Sequence, residues 1–282
     1  MQSIGQRVRD LNTELSKPTD SDVVHLRTLR AAIGFLGLGL PLTLALGENI
    51  RDRYLSAGAE AGQWYIEGSI SAYYHTGMRE VFVAILAALG IFLLCYKGPE
   101  RWDVIASKLA GAAAIMVALF PTHEASREAT DTGGRLPDSV TLFSGPDAAD
   151  PEIIGTTHYV AAAVFFVTVA LMALFLFTRS HSSVLTGRKR LRNLVYRGSG
   201  LTILVTIAAI ALDKLALGSG WSEGTSFVFW METVAVTAFG VAWLTKAEVI
   251  LKDRLDEAPA EVGVAGGRLR STLERREEVA GR

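Results

Sequence analysis

Residues 69–82 read SISAYYHTGMREVF, and the chain then continues through residues 81–96 as VFVAILAALGIFLLCY, a run with no charged side chain. A helix crossing a hydrocarbon core about 30 Å thick needs about 17–25 apolar residues. Counted from Val81 the run is short. Extended back through His75 it reaches full length, and the polar stretch becomes its first, interfacial turns. On that reading Ser71, His75 and Arg79 follow an i, i+4, i+8 spacing and share one helix face, with Glu80 beside it.

Five further apolar runs have spanning length: Leu29–Gly47, Ile105–Pro121, His158–Thr178, Ser199–Leu217 and Phe227–Lys246. With Val81–Tyr96 they define the expected fold class, an all-α polytopic transmembrane helix bundle with six spans. The expected organisation is a cytoplasmic N-terminal segment (1–28), a transmembrane domain (29–246) with a long outer loop (122–157), and a cytoplasmic C-terminal tail (247–282). The tail is expected to continue the last span as a polar helix to about Leu255, before EAPAEVGVAGG breaks it.

Orientation follows from the basic residues. Of the 28 Lys and Arg, all except Arg51, Arg53, Arg79, Arg127, Arg135 and Lys214 fall on one side of this six-span scheme. The positive-inside rule makes that side, and both termini, cytoplasmic. The first span is read as an anchor and not as a cleaved signal, because its polar lead is far longer than an ordinary n-region. Aromatic residues fall at span ends, Trp64, Tyr65, Tyr73, Tyr74, Tyr159, Trp221 and Trp230 outside and Tyr96, Trp102, Tyr196 and Trp243 inside. They are expected to form two headgroup-level belts. Ala106, Ala110, Ala114 and Ala118, one per turn of span three, offer a seam for close helix approach.

Composition narrows the function classes. The formal net charge of -1, with no basic patch interleaved with aromatics, gives no argument for nucleic acid as a partner. The single Cys95 excludes an intramolecular disulfide and a cysteine-based metal cluster. The outer loop carries Glu124, Glu128, Asp131, Asp138, Asp147, Asp150 and Glu152 and reads as an acidic lid. The Ala- and Gly-rich composition points to a bacterial cytoplasmic membrane. Membrane lipids are the expected partners, together with a membrane-protein partner or a second copy of the chain.

The candidate site lies at the outer ends of the spans. His75, His123 and His158 fall at one depth there, and Asp213 and Glu232 add carboxylates to the same layer. Ionisable groups within spans are costly unless paired or facing a cavity. Tyr74, His75, Arg79, Glu80, His123, His158, Asp213 and Glu232 are therefore the expected lining of a polar pocket for a lipid headgroup or small ligand. No cofactor is needed for that function. The alternative is a metal-dependent hydrolase in which His75, His123 and His158 hold zinc and Glu232 serves as general base.

Two resemblances bear on these readings. SAYYH (71–75) resembles the Ser-x-x-x-His element of the alkaline ceramidase and adiponectin-receptor superfamily of intramembrane zinc hydrolases. The paired HxxxH of that superfamily has no counterpart here, because His158 is followed four residues later by Ala162. The helix count is also one short of seven. Across residues 30–246 the chain resembles the FRAG/DRAM/Sfk-type membrane proteins and their bacterial relatives. SISAYY and MREVF open span two, ALFPT closes span three, THYVAAAVFF opens span four, and FWMETVAVTAFGVAWLTKAE forms the last helix. The resemblance implies a six-helix frame in which Phe120-Pro121 ends one helix and His158 begins the next. It implies no assigned activity.

Overall fold

The computed structural model describes residues 20–55, 64–122, 151–179, 187–215, 222 and 224–252. Among them every regular element is helical: α1 (Asp20–Leu55), α2 (Arg79–Cys95), α3 (Arg101–Leu119), α4 (Pro151–Leu171), α5 (Gly187–Leu215) and α6 (Phe227–Lys246). A 3-10 turn, Ser71–His75, precedes α2, and a π turn, Met172–Leu176, prolongs α4.

Five stretches are long and apolar enough to cross a membrane: Val24–Leu55, Arg101–Leu119, Ile153–Leu176, Gly187–Lys214 and Phe227–Lys246. They make the chain a multi-pass membrane protein by length and composition. Helix α2, with 17 residues, is shorter than all of them. The outward faces fit the same environment. Phe35 and Leu42 on α1, Ile105 and Leu109 on α3, Val160 and Phe175 on α4 and its π turn, Leu201 and Val205 on α5, and Val234 on α6 are all exposed. A coat of this kind would aggregate in water, whereas lipid tails match it.

The helices close into a ring. Each packs against the next in sequence, and α1 packs against α6. Hydrophobic burial does not hold helices together in lipid, so close backbone approach has to contribute. Three crossings are built on glycine. A Cβ placed on Gly111 of α3 would lie 2.7 Å from the Gly90 carbonyl oxygen of α2. The corresponding distance from Gly240 of α6 to the Gly34 oxygen of α1 is 2.8 Å, and from Gly200 of α5 to the Ala170 oxygen of α4 it is 2.9 Å. The alanine seam of α3 is also used, with Ala110, Ala114 and Ala118 buried and Ala106 half-buried.

Three expectations change. Helix α2 does not run back through His75. Thr76 is extended (φ -111°, ψ -178°), its hydroxyl donates to the Tyr73 carbonyl and accepts from the Met78 N–H, and Gly77 sits under the Arg51 guanidinium of α1, where a Cβ would collide. Ser71, His75 and Arg79 therefore do not form one helix face. The aromatic belts are also divided. Trp64, Tyr65, Tyr159, Trp230 and Trp102 are exposed, but Tyr73, Tyr74, Tyr96, Tyr196 and Trp243 are buried inside the bundle, where their rings pack on neighbouring helices. Finally, α6 stops at Lys246 and does not reach Leu255, because Glu248 and Leu251 adopt positive φ (60° and 59°) and turn the chain.

Candidate functional site at the histidine mouth

One end of the ring collects the C-terminal ends of α1, α3 and α5 and the N-terminal ends of α2, α4 and α6. Its organiser is the segment 64–78, held between α1 and α6. The Asn49 side chain of α1 pairs with the Tyr65 backbone in both directions, its Nδ2 donating to the carbonyl oxygen at 2.7 Å and its Oδ1 accepting the N–H at 2.8 Å. The Phe229 N–H of α6 donates to the Gly68 carbonyl at 2.9 Å, and the Ser226 hydroxyl donates to that of Ile66.

Glu232, one turn into α6, points at this segment. Its Oε2 accepts the Ile70 N–H at 2.6 Å, and its carboxylate also accepts the Ser71 N–H. A carboxylate on two backbone donors at the start of a turn is a helix-type cap reached across the bundle. Each such charge-assisted bond contributes about 1.5–3 kcal/mol. This is how a membrane-depth carboxylate is tolerated here.

The two described histidines of the cluster satisfy the opposite kind of orphan. Pro121 ends α3, and the last carbonyls of a terminated helix need donors. His158 Nδ1 donates to the Phe120 carbonyl at 2.7 Å while its Nε2 accepts from the Ser71 hydroxyl at 3.0 Å; these partners assign the tautomer. His75 Nε2 donates to the Thr122 carbonyl at 3.0 Å and lies 3.1 Å from the Thr122 hydroxyl. The imidazoles thus fasten the 3-10 turn and α4 to the end of α3.

Arg79 is handled differently. It is only 8% exposed, its Nε donates to the Tyr74 carbonyl at 2.9 Å, and its guanidinium carbon stands 5.1 Å from the centre of the Tyr74 ring. Its terminal nitrogens find no acceptor, and no carboxylate forms an ion pair with it, among the described residues. Burial raises the Tyr74 phenol above its ordinary value, with Arg79 opposing the rise. Burial likewise pushes Tyr73 up to about 12, so its hydroxyl stays protonated where the Glu67 N–H meets it.

The sequence-expected residues therefore separate. Tyr74, His75, Arg79, His158 and Glu232 come together around the 3-10 turn. Glu80 is exposed. Asp213 is buried on α5, accepts the Ser222 hydroxyl and lies 3.7 Å from Lys214, and it touches none of the histidine group. His123 lies outside the described residues, as does the acidic stretch 123–150. Among the described residues no group of three His, Cys, Asp or Glu is placed to hold a metal. Below the turn lies a cavity of about 50 Å³, walled by Phe82, Leu86, Phe165 and Phe239 and roofed by Ser71 and Glu232. It has room for a water or two and none for a lipid chain. Thr122 and Asn49 were not expected. The Phe-Pro-Thr ending of α3 was the available signal for Thr122, since it leaves carbonyls to be satisfied.

The fold and mouth thus define a helical multi-pass membrane protein with a hydrogen-bonded polar plug at one end. Compared with models of protein families, with curated proteins and with solved structures, the chain matches none.

Proposed function

We propose that the chain is a six-span protein of a bacterial cytoplasmic membrane with both termini cytoplasmic. Its histidine mouth faces outward and binds the anionic headgroup of a lipid, or a small anion of like chemistry, as a sensor, accessory subunit or carrier component. The six-helix resemblance to the FRAG/DRAM/Sfk-type proteins belongs to this proposal. The exposed Ile91 and Leu94 on α2 support its being the sixth span.

The observation that carries the ligand is Arg79. A cation at membrane depth costs at least about 2.5–3.5 kcal/mol. Its stacking on Tyr74 returns about 0.5–2 kcal/mol, and the Nε bond engages only one of its nitrogens. An anion seated on the remaining nitrogens supplies the missing interaction. The plug around it, closed by Glu232, His75 and His158, keeps the guanidinium at a fixed height.

Native mass spectrometry of the detergent-extracted protein, with phosphatidylglycerol or phosphatidylcholine added, tests this. Wild type is expected to retain one more phosphatidylglycerol than Arg79→Gln, with Arg79→Lys intermediate. A thermal shift with glycerol phosphate alone would assign the site to a free solute instead of a lipid. An identical lipid count and no solute shift in wild type and Arg79→Gln would refute the reading.

A further inference from the structure

The opposite end of the ring gathers cations that ordinary topology signals do not require. A topogenic Lys or Arg works from a solvated loop. Here Arg30 of α1 and Lys246 of α6 are drawn partly into the bundle, with Lys189 and Arg192 of α5 within electrostatic range of the Lys246 ammonium. Arg192 has a side chain only 12% exposed.

Much of the countercharge nearby is already committed. Glu248 is shared by Arg27 at 2.8 Å and Arg192 at 3.8 Å, and Glu100 pairs with Arg179. Asp103 also faces Lys246; it is buried, its Oδ2 accepts from the Glu100 N–H, capping α3, and its Oδ1 has no hydrogen-bond partner. Arg30 reaches only neutral acceptors, the Lys246 carbonyl at 3.5 Å and the Tyr96 hydroxyl at 3.4 Å. Its Nε is buried without a partner. The Lys246 ammonium stands 5.1 Å from the centre of the Phe177 ring and makes no ion pair among the described residues. Arg27, Arg30, Lys189, Arg192 and Lys246 thus meet two carboxylates, Glu248 and Asp103, at this mouth, which leaves cations in excess.

The floor of this mouth is aromatic. Tyr96 and Trp243 meet edge to face with centroids 5.0 Å apart, and Phe177 packs on both Trp243 and Tyr196. Leu191 and Leu194 on α5 and Val249 after α6, close along the chain to these cations, are exposed. Exposed apolar side chains beside a cationic centre fit a group that brings both a negative head and a hydrocarbon tail.

We propose that this basic mouth is a second ligand site, which seats the phosphate of an anionic phospholipid between Arg30 and Lys246. The diester oxygens accept from the Arg30 terminal nitrogens, which make only long contacts otherwise, and from the Lys246 ammonium, and the acyl chains leave over Leu194 and Val249. Arg192 and Lys189 raise the local field, and the Glu248 clamp fixes the spacing of α1, α5 and α6 around the head. This site is independent of Arg79 and of the outer reading.

The test is made in the Arg79→Gln background, so that the two mouths are counted separately. Native mass spectrometry with added phosphatidylglycerol is expected to show one retained lipid that disappears on adding Arg30→Gln and Lys246→Gln. At about 1 kcal/mol per cation near an anionic surface, that double change corresponds to a loss of affinity of about thirtyfold. The charge-keeping pair Arg30→Lys and Lys246→Arg retains the lipid, and it is also the control should the neutral pair fold poorly. Competition by inorganic phosphate at equal strength would replace the lipid with a free anion and overturn the proposal. So would equal retention of phosphatidylcholine, or an unchanged count in the neutral pair.

Discussion

His158 joins three segments through one ring: it is part of α4, donates to the end of α3 and accepts from the 3-10 turn. Replacing it by Phe keeps the ring volume and leaves the Phe120 carbonyl and Ser71 hydroxyl unpaired, at a cost of about 1–3 kcal/mol for each buried orphan. Thermal unfolding in detergent should therefore rank His158→Phe well below Ser71→Ala, which removes the hydroxyl together with its need for a partner. Equal melting of the two would show that the carbonyl bond contributes nothing. At the other mouth Glu248 presents a conflict that can be measured. It holds Arg27 and Arg192 while standing at φ 60°, a conformation that costs a non-glycine residue about 1–2 kcal/mol. Glu248→Gly and Glu248→Ala lose the same ion pairs, but only glycine relieves the backbone, so the glycine variant should be the more stable by about 1 kcal/mol. The reverse order would mean that the turn relaxes once the clamp is gone. Neither role was legible in the sequence. His158 was expected in a polar layer; its partners lie 38 and 87 residues away, and nothing local to THYV encodes them.

At the level of the helices, lipid made the sequence easy to read where it selects for apolar runs. The last expected span, Phe227–Lys246, coincides with α6, and the other helices begin earlier than their expected spans, on turns ahead of the apolar run. The missed break before α2 has a specific cause. The spacing of Ser71, His75 and Arg79 matches a helix face, and it was Gly77 under Arg51 and the Thr76 hydroxyl bonds that decided otherwise. Spacing alone does not report a neighbour from α1. The glycines give the sharpest test at this scale because two of them predict opposite signs. A methyl on Gly111 would lie 2.7 Å from the Gly90 oxygen and 2.9 Å from the Leu94 nitrogen, both backbone atoms that cannot turn away. Gly111→Ala should separate α2 from α3 at a cost of about 1–3 kcal/mol. Gly198 of α5 has nothing within 4 Å of such a methyl, and Gly198→Ala should raise stability by about 0.5–1 kcal/mol through helix propensity. If both substitutions move stability the same way, the α2–α3 crossing is looser than its geometry implies.

For the molecule as a whole, the question is whether the ring crosses the membrane with all six helices. Helix α2 decides it, being shorter than the five helices of clear spanning length, with about 26 Å of rise. If α2 crosses, Tyr54 at the end of α1 and Lys97 after α2 lie on opposite faces of the membrane. If it only dips in and returns, they lie on the same face. Both side chains are exposed, and the natural thiol, Cys95, can be replaced by Ser to leave a silent background. In that background Tyr54→Cys should react with a membrane-impermeant maleimide on intact cells, and Lys97→Cys should react only after the membrane is opened. On that outcome the basic mouth faces the cytoplasm, in keeping with the positive-inside rule. Labelling of both cysteines from the same face would reduce the bundle to five spans, place the two termini on opposite sides and remove the assignment of the histidine mouth to the outer leaflet. Labelling with the two faces exchanged would keep six spans and put Arg79 on the cytoplasmic side, so one pair of variants separates the helix count from the orientation.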